Sequence, residues 1–142
     1  MREIKFRAWR EEGRKMYYDV TFDHTEVSWF DPETKQDPDD TEFGCWVIIG
    51  DRIEKSLFPY CILMQYTGLK DRGGKEIYEG DIIRTFKFID NIVGIVQWCG
   101  HRLAWVVHPP GWHENTSEML FHCRGHIEVI GNIYENPESA VE

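Results

Sequence analysis

Two imidazoles and a thiol fall within five residues in His122-Cys123-Arg124-Gly125-His126, and Cys99-Gly100-His101 adds a second thiol–imidazole pair. Thiolate sulfur and imidazole nitrogen are ligands of tetrahedral zinc, which makes His122, Cys123 and His126 the metal-ligating candidates. Their spacing follows no finger or knuckle, and no second pair completes a two-plus-two ligand set. Core and surface placements explain the same residues without an ion, so no cofactor is expected. Nucleophilic chemistry has less support. Ser28, Ser56, Ser117 and Ser139 lie in no Gly-x-Ser-x-Gly elbow. The chain has no Walker loop, dinucleotide fingerprint or HExxH motif. A small metal-dependent hydrolase is therefore only a third reading, and no catalytic residue is assigned.

Aromatic side chains carry the stronger possibility. Tyr78, Phe86, Phe88, Trp98, Trp105 and Trp112 crowd the second half of the chain, more rings than one small barrel can enclose. Some must reach the surface, where small barrels bind partners or single strands through exposed rings. Arg84, Lys87, Arg102 and Arg124 would give such a face a basic rim. The binding candidates are accordingly Tyr78, Arg84, Phe86, Trp98, Arg102 and Trp105. The competing reading covers these rings with the N-terminal hairpins or a second copy of the chain. Glu79-Gly80-Asp81 has a backbone explanation. Glycine turns or bulges the chain where a side chain would clash, and Asp81 accepts a local N–H as the next strand begins. Gly131-Asn132 does a similar job before Ile133-Tyr134.

These residues must be positioned by strands. Ile4, Phe6 and Ala8 alternate with Lys5 and Arg7, the period-2 pattern of a half-buried strand. A turn at residues 11–14 leads into a second strand with Met16, Tyr18 and Val20 on one face. Residues 27–30 and 45–49 read as short strands, and residues 54–57 as a turn. In the second half, residues 62–66, 77–78, 82–88, 92–98, 103–107 and 127–134 alternate or run apolar between turn signals. Gly73-Gly74 marks a tight hairpin, because adjacent glycines supply positive φ. Leu103, Trp105 and Val107 share a face, and Pro109-Pro110-Gly111 ends that strand. Helix signals amount to one or two turns within residues 113–121. The expected fold is mainly β: an N-terminal β-hairpin region at residues 1–55 and an SH3-type β-roll at residues 56–142.

Composition agrees with a folded domain. Of 142 residues, 42% are hydrophobic and 14% aromatic, too many large rings for a disordered chain. No apolar run approaches the ~20 residues of a membrane span, and the amino terminus alternates charge and hydrophobe, so a soluble cytoplasmic protein is expected. Cysteines 45, 61, 99 and 123 form no CxxC pair, and no disulfide framework is expected. The net charge of −9 repels phosphate backbones and disfavours general nucleic-acid binding. That charge is concentrated: eight acids face one lysine between residues 23 and 42, and within that stretch residues 31–42 read as an exposed, solvated loop.

Three blocks resemble a known family. Arg2-Glu3-Ile4-Lys5-Phe6-Arg7-Ala8-Trp9 opens the chain. Met64-Gln65-Tyr66-Thr67-Gly68-Leu69-Lys70-Asp71 runs on through Gly74-Lys75-Glu76-Ile77-Tyr78-Glu79-Gly80-Asp81-Ile82-Ile83, and residues 127–138 close the likeness. Together they resemble the YopX proteins of phages and prophages. The resemblance implies a mostly β protein with a C-terminal SH3-type roll, and it carries no catalytic residue with it. The expected function is that of a phage- or prophage-type accessory protein, a non-catalytic module that binds a host or phage protein, with homo-oligomerisation as one way to cover its rings. The alternative is nucleic-acid binding through a basic-aromatic face of the roll.

Overall fold

Alternating segments broken by glycine turns pair into two antiparallel sheets, seen in a computed structural model that describes residues 3–11, 13–22, 45–49, 52–56, 61–87, 91–113 and 116–141. The strands are β1 (Phe6–Arg10), β2 (Lys15–Phe22), β3 (Cys45–Ile49), β4 (Arg52–Ser56), β5 (Cys61–Lys70), β6 (Glu76–Tyr78), β7 (Asp81–Thr85), β8 (Ile92–Cys99), β9 (Ala104–His108), β10 (Glu118–Met119) and β11 (Ile127–Asn132). One sheet runs β4-β3-β2-β1-β5-β6 and the other β10-β9-β8-β7-β11. In the second, β7 to β10 meander, a 3₁₀ turn at Leu120–Cys123 follows, and β11 returns to pair with β7. That is the connectivity of an SH3-type roll, so the mainly β class with a curled C-terminal sheet is what the chain adopts. Strands β5 and β6 hydrogen-bond into the N-terminal sheet, and the change of sheet occurs at Glu79-Gly80.

Turn chemistry fixes the β5–β6 hairpin as the glycine pair requires. Gly74 takes φ +87°, a conformation that side chains resist. Its N–H donates to the Asp71 carbonyl at 3.0 Å, while Asp71 Oδ1 accepts the Gly73 and Lys75 N–H groups. Asp71 Oδ2 also accepts from Val129 N–H at 3.2 Å, and the Arg72 N–H donates to the Ile127 carbonyl. The hairpin therefore covers the outer edge of β11, a row of groups that would otherwise template aggregation. Partial burial opposes ionisation of Asp71, but its three backbone donors win and hold the carboxyl below the usual range.

Several local expectations change. A bulge between the Phe6 and Ala8 pairings flips the alternation of β2. Val20 consequently joins Ala8, Phe6 and Tyr17 on one face, while Met16 packs with Trp9 and Met64 on the other. Residues 54–56 belong to strand β4 rather than a turn, since β3 pairs with β4 across that stretch. The helical turn expected within residues 113–121 is 3₁₀ in kind: Thr116 lies in a 3₁₀ turn, its N–H donating to the His113 carbonyl, and a second 3₁₀ turn follows at Leu120–Cys123. The expected strand at residues 27–30 and the acidic stretch at 31–42 lie outside the described residues. The roll core is built from Ile77, Ile83, Val96, Val107, Leu120, Cys123 and Ile127, all fully buried.

Candidate functional site

The Tyr78-Glu79-Gly80-Asp81 segment is the junction of the two sheets, and its chemistry is structural. Gly80 has φ +80°, its N–H donates to the Val96 carbonyl, and its carbonyl accepts from Ile133 N–H. Asp81 Oδ2 accepts the Tyr78 N–H at 2.8 Å, the local hydrogen bond expected of it. Its other oxygen meets a partner that alternation had placed on the solvent side. Arg7 is 2% exposed, Asp81 is 1% exposed, and Arg7 Nη2 lies 2.7 Å from Asp81 Oδ1. The same guanidinium donates to the Glu79 carbonyl at 3.2 Å and lies 4.8 Å from the centre of the Tyr78 ring. Strand β1 is thus buried on both faces at Arg7, Ala8 and Trp9. Trp9 stacks on Tyr134 with ring centres 5.7 Å apart, extending the junction to the C-terminal turn. Burial outweighs the pull of Arg7 and of the Tyr78 N–H, and pushes the Asp81 carboxyl up.

The six binding candidates do not form one patch. Tyr78 is 2% exposed and belongs to the junction, packed against Tyr66 and edge-on to Tyr18. Arg84 is half-buried on β7 beside Glu128 at 3.9 Å. Phe86, just beyond β7, is half-buried under the Arg72 guanidinium at 4.5 Å. Trp98, Arg102 and Trp105 do come together, at the opposite end of β8. Trp98 and Trp105 pair directly across the β8–β9 hairpin, edge to face at 5.3 Å. They occupy the same face as the Val96–Val107 pair, one step beyond the core, which is why Trp98 stays 45% exposed. Arg102 donates to the Ser117 carbonyl and pins the loop between them.

Leu103, expected to share a strand face with Trp105 and Val107, instead sits in the turn, 76% exposed, with φ +50°. A leucine in the left-handed region is strained by about 1–3 kcal/mol and is additionally held in water here. The Trp105 Nε1–H is buried with no hydrogen-bond partner among the described residues.

The chemical candidates separate. Cys123 is fully buried in the roll core, its thiol pushed up by that burial, whereas His122 and His126 are exposed and His122 bonds Glu118 at 3.3 Å. Among the described residues no three His, Cys, Asp or Glu side chains gather as a metal site. Among the described residues, one serine–histidine contact is present: Ser117 Oγ lies 2.7 Å from His108 Nδ1. Ser117 is 3% exposed, so a substrate could not reach it without opening the roll. The pair seals the β9–β10 turn.

A family model described as "YopX protein" matches residues 5–139. The crystal structure of protein EF1440 from Enterococcus faecalis is similar over 100% of both chains, with 25% sequence identity and a TM-score of 0.56. No curated protein matches. No helix among the described residues is long and apolar enough to cross a membrane.

Proposed function

We propose that this protein, which belongs to the YopX family, is a non-catalytic accessory module that docks a protein partner on the tip of its β8–β9 hairpin, in the phage or prophage setting its family resemblance implies. One observation carries the reading: Leu103, a large apolar side chain, is held exposed at φ +50° in the turn of the hairpin whose β8 strand carries the exposed Trp98. A fold gains nothing by straining a leucine in order to wet it. Covering it by a partner would make use of that strain, and tryptophan, exposed on the same hairpin, is a residue type that dominates protein interfaces. The tip is also rigid, since the Trp98–Trp105 contact and the Arg102–Ser117 bond fix it before any partner arrives, which lowers the entropy cost of docking.

The test places a photo-crosslinking residue at position 103 in living cells, with position 138 as an exposed control. The expected result is a discrete crosslinked protein from position 103, absent from position 138 and lost when Trp98 is changed to serine. Identical crosslinks from both positions, or crosslinks indifferent to Trp98→Ser, would reject the tip as the docking surface. Crosslinks solely between copies of this chain would make the partner a second copy.

A further inference from the structure

The turn of the β8–β9 hairpin differs in charge from every other connection between consecutive paired strands. Glu11 and Glu12 lie between β1 and β2, and eight acids fall within residues 23–42, between β2 and β3. Asp51 lies between β3 and β4, Asp71 between β5 and β6, Asp90 between β7 and β8, and Glu114 between β9 and β10. Residues 100–103, between β8 and β9, hold no acid. They sit in the longest acid-free run of the chain, residues 91–113, which also lacks lysine and contains three of the six tryptophans. Burial explains uncharged residues on the strands, where Val96, Val106 and Val107 are buried. It does not explain the turn, because Gly100, His101, Arg102 and Leu103 are all exposed, as is Trp98 on β8. Depletion of Asp, Glu and Lys with retention of Trp and Arg is the composition of the centre of a protein–protein contact.

Taking the tip as the docking surface, we infer that its occupant is a second copy of this chain, the two turns meeting about a two-fold axis. At such an axis a residue faces its own image, so an acid placed there meets an identical acid. Two chains of −9 each repel wherever their acid-bearing turns approach one another. The β8–β9 turn is the one hairpin turn at which copies touch without that opposition. Leu103 and Trp98 give both sides of the contact apolar surface, and docking removes from water what each monomer leaves exposed. The one permanent charge of the turn, Arg102, donates to the Ser117 carbonyl of its own chain. A basic partner would be drawn instead to the acids of residues 23–42. An apolar, charge-poor surface is matched by another of the same kind, and the identical turn of a second copy supplies one.

The experiment is sedimentation equilibrium on the purified full chain over a range of protein concentrations. A monomer–dimer equilibrium is expected. Raising NaCl from about 50 to about 500 mM should hold or strengthen it, because salt screens the repulsion between −9 chains and leaves the apolar contact intact. Trp98→Ser and Leu103→Gly should each weaken self-association about 30-fold, as loss of a central interface residue requires. Phe121→Ser, at an exposed ring outside the hairpin, should leave it unchanged. Leu103→Glu and Leu103→Lys should each sediment as monomers alone and dimerise when mixed, since at a two-fold axis the two introduced charges then face each other. Melting curves confirm that each variant is folded. A chain still monomeric at about 1 mM would overturn the inference, and crosslinks from position 103 to a different protein would in that case leave the tip standing as a docking surface. Dimerisation that weakens with salt, or that Phe121→Ser disrupts as much as Leu103→Gly does, would also overturn it. Absence of every crosslink from position 103 would remove the docking surface itself.

Discussion

Replacing Arg7 with methionine is the sharpest test of how the two sheets are joined. Methionine matches the aliphatic stem but removes the guanidinium, leaving the Asp81 carboxylate 1% exposed without its counter-charge. The Glu79 carbonyl loses its 3.2 Å donor, and the Tyr78 ring loses the cation above it. Breaking a buried pair from one side costs about 3–5 kcal/mol, because the remaining charge must be desolvated alone. At an m value of about 1.5 kcal/mol/M, the urea midpoint falls by roughly 2–3 M. The pH dependence gives an independent check. Burial already pushes the Asp81 carboxyl up despite Arg7, and removing Arg7 raises it further. An acid whose folded pKa exceeds its unfolded value of about 4 stabilises the fold only while protonated, so that contribution disappears as pH climbs past the unfolded and then the folded value. The deficit of Arg7→Met should therefore be smaller at pH 4.5 than at pH 7.5. Combining it with Asp81→Asn should cost less than the two single changes added together, since neutralising the orphaned acid removes the penalty. Urea unfolding followed by tryptophan fluorescence measures all of this. A variant within about 1 kcal/mol of the parent at pH 7.5, with a pH-independent gap, would refute the reasoning.

Gly80→Val should lose about 2–4 kcal/mol in thermal melts, because φ is +80° and a Cβ would already touch Met64 Sδ at 3.4 Å and Ile133 Cγ1 at 3.5 Å, leaving no room for the two methyls beyond it. An unshifted melting temperature would contradict it. Leu103→Gly should leave stability unchanged or raise it by about 0.5–1 kcal/mol, since glycine relieves the strain at φ +50° while adding unfolded-state entropy. The same variant should lose the position-specific crosslinks of the hairpin tip. Cys123, fully buried with its thiol pushed up, should resist iodoacetamide in the native protein and react after denaturation, as read by peptide mass mapping. Alkylation of the native protein at Cys123 would show that the roll opens there.

Local signals proved legible wherever a short stretch decides its own conformation. Gly73-Gly74 marked a hairpin, Gly80 a left-handed position and Asp81 the acceptor of a nearby N–H, because each concerns backbone within a few residues. Alternation located β1, β8 and β9 for the same reason. It misjudged Arg7, since period 2 assigns alternate residues to two faces without saying that both are covered, as they are on β1. It misjudged Val20 because one bulged residue exchanges the faces. Leu103 fitted the pattern of Trp105 and Val107 but fell in the turn, a boundary set by where the hairpin closes.

What the chain determined on its own was its class: strands, their turns, a glycine-dependent junction and a surplus of rings and cations in the second half. Which of those groups meet was decided by the tertiary structure. Arg7 and Asp81 are 74 positions apart, and Arg124 reaches the ring of Phe121 only through the 3₁₀ turn that closes the roll. Strand register and sheet order select such partners, and both depend on burying the whole apolar surface at once, a free energy that no single segment contains.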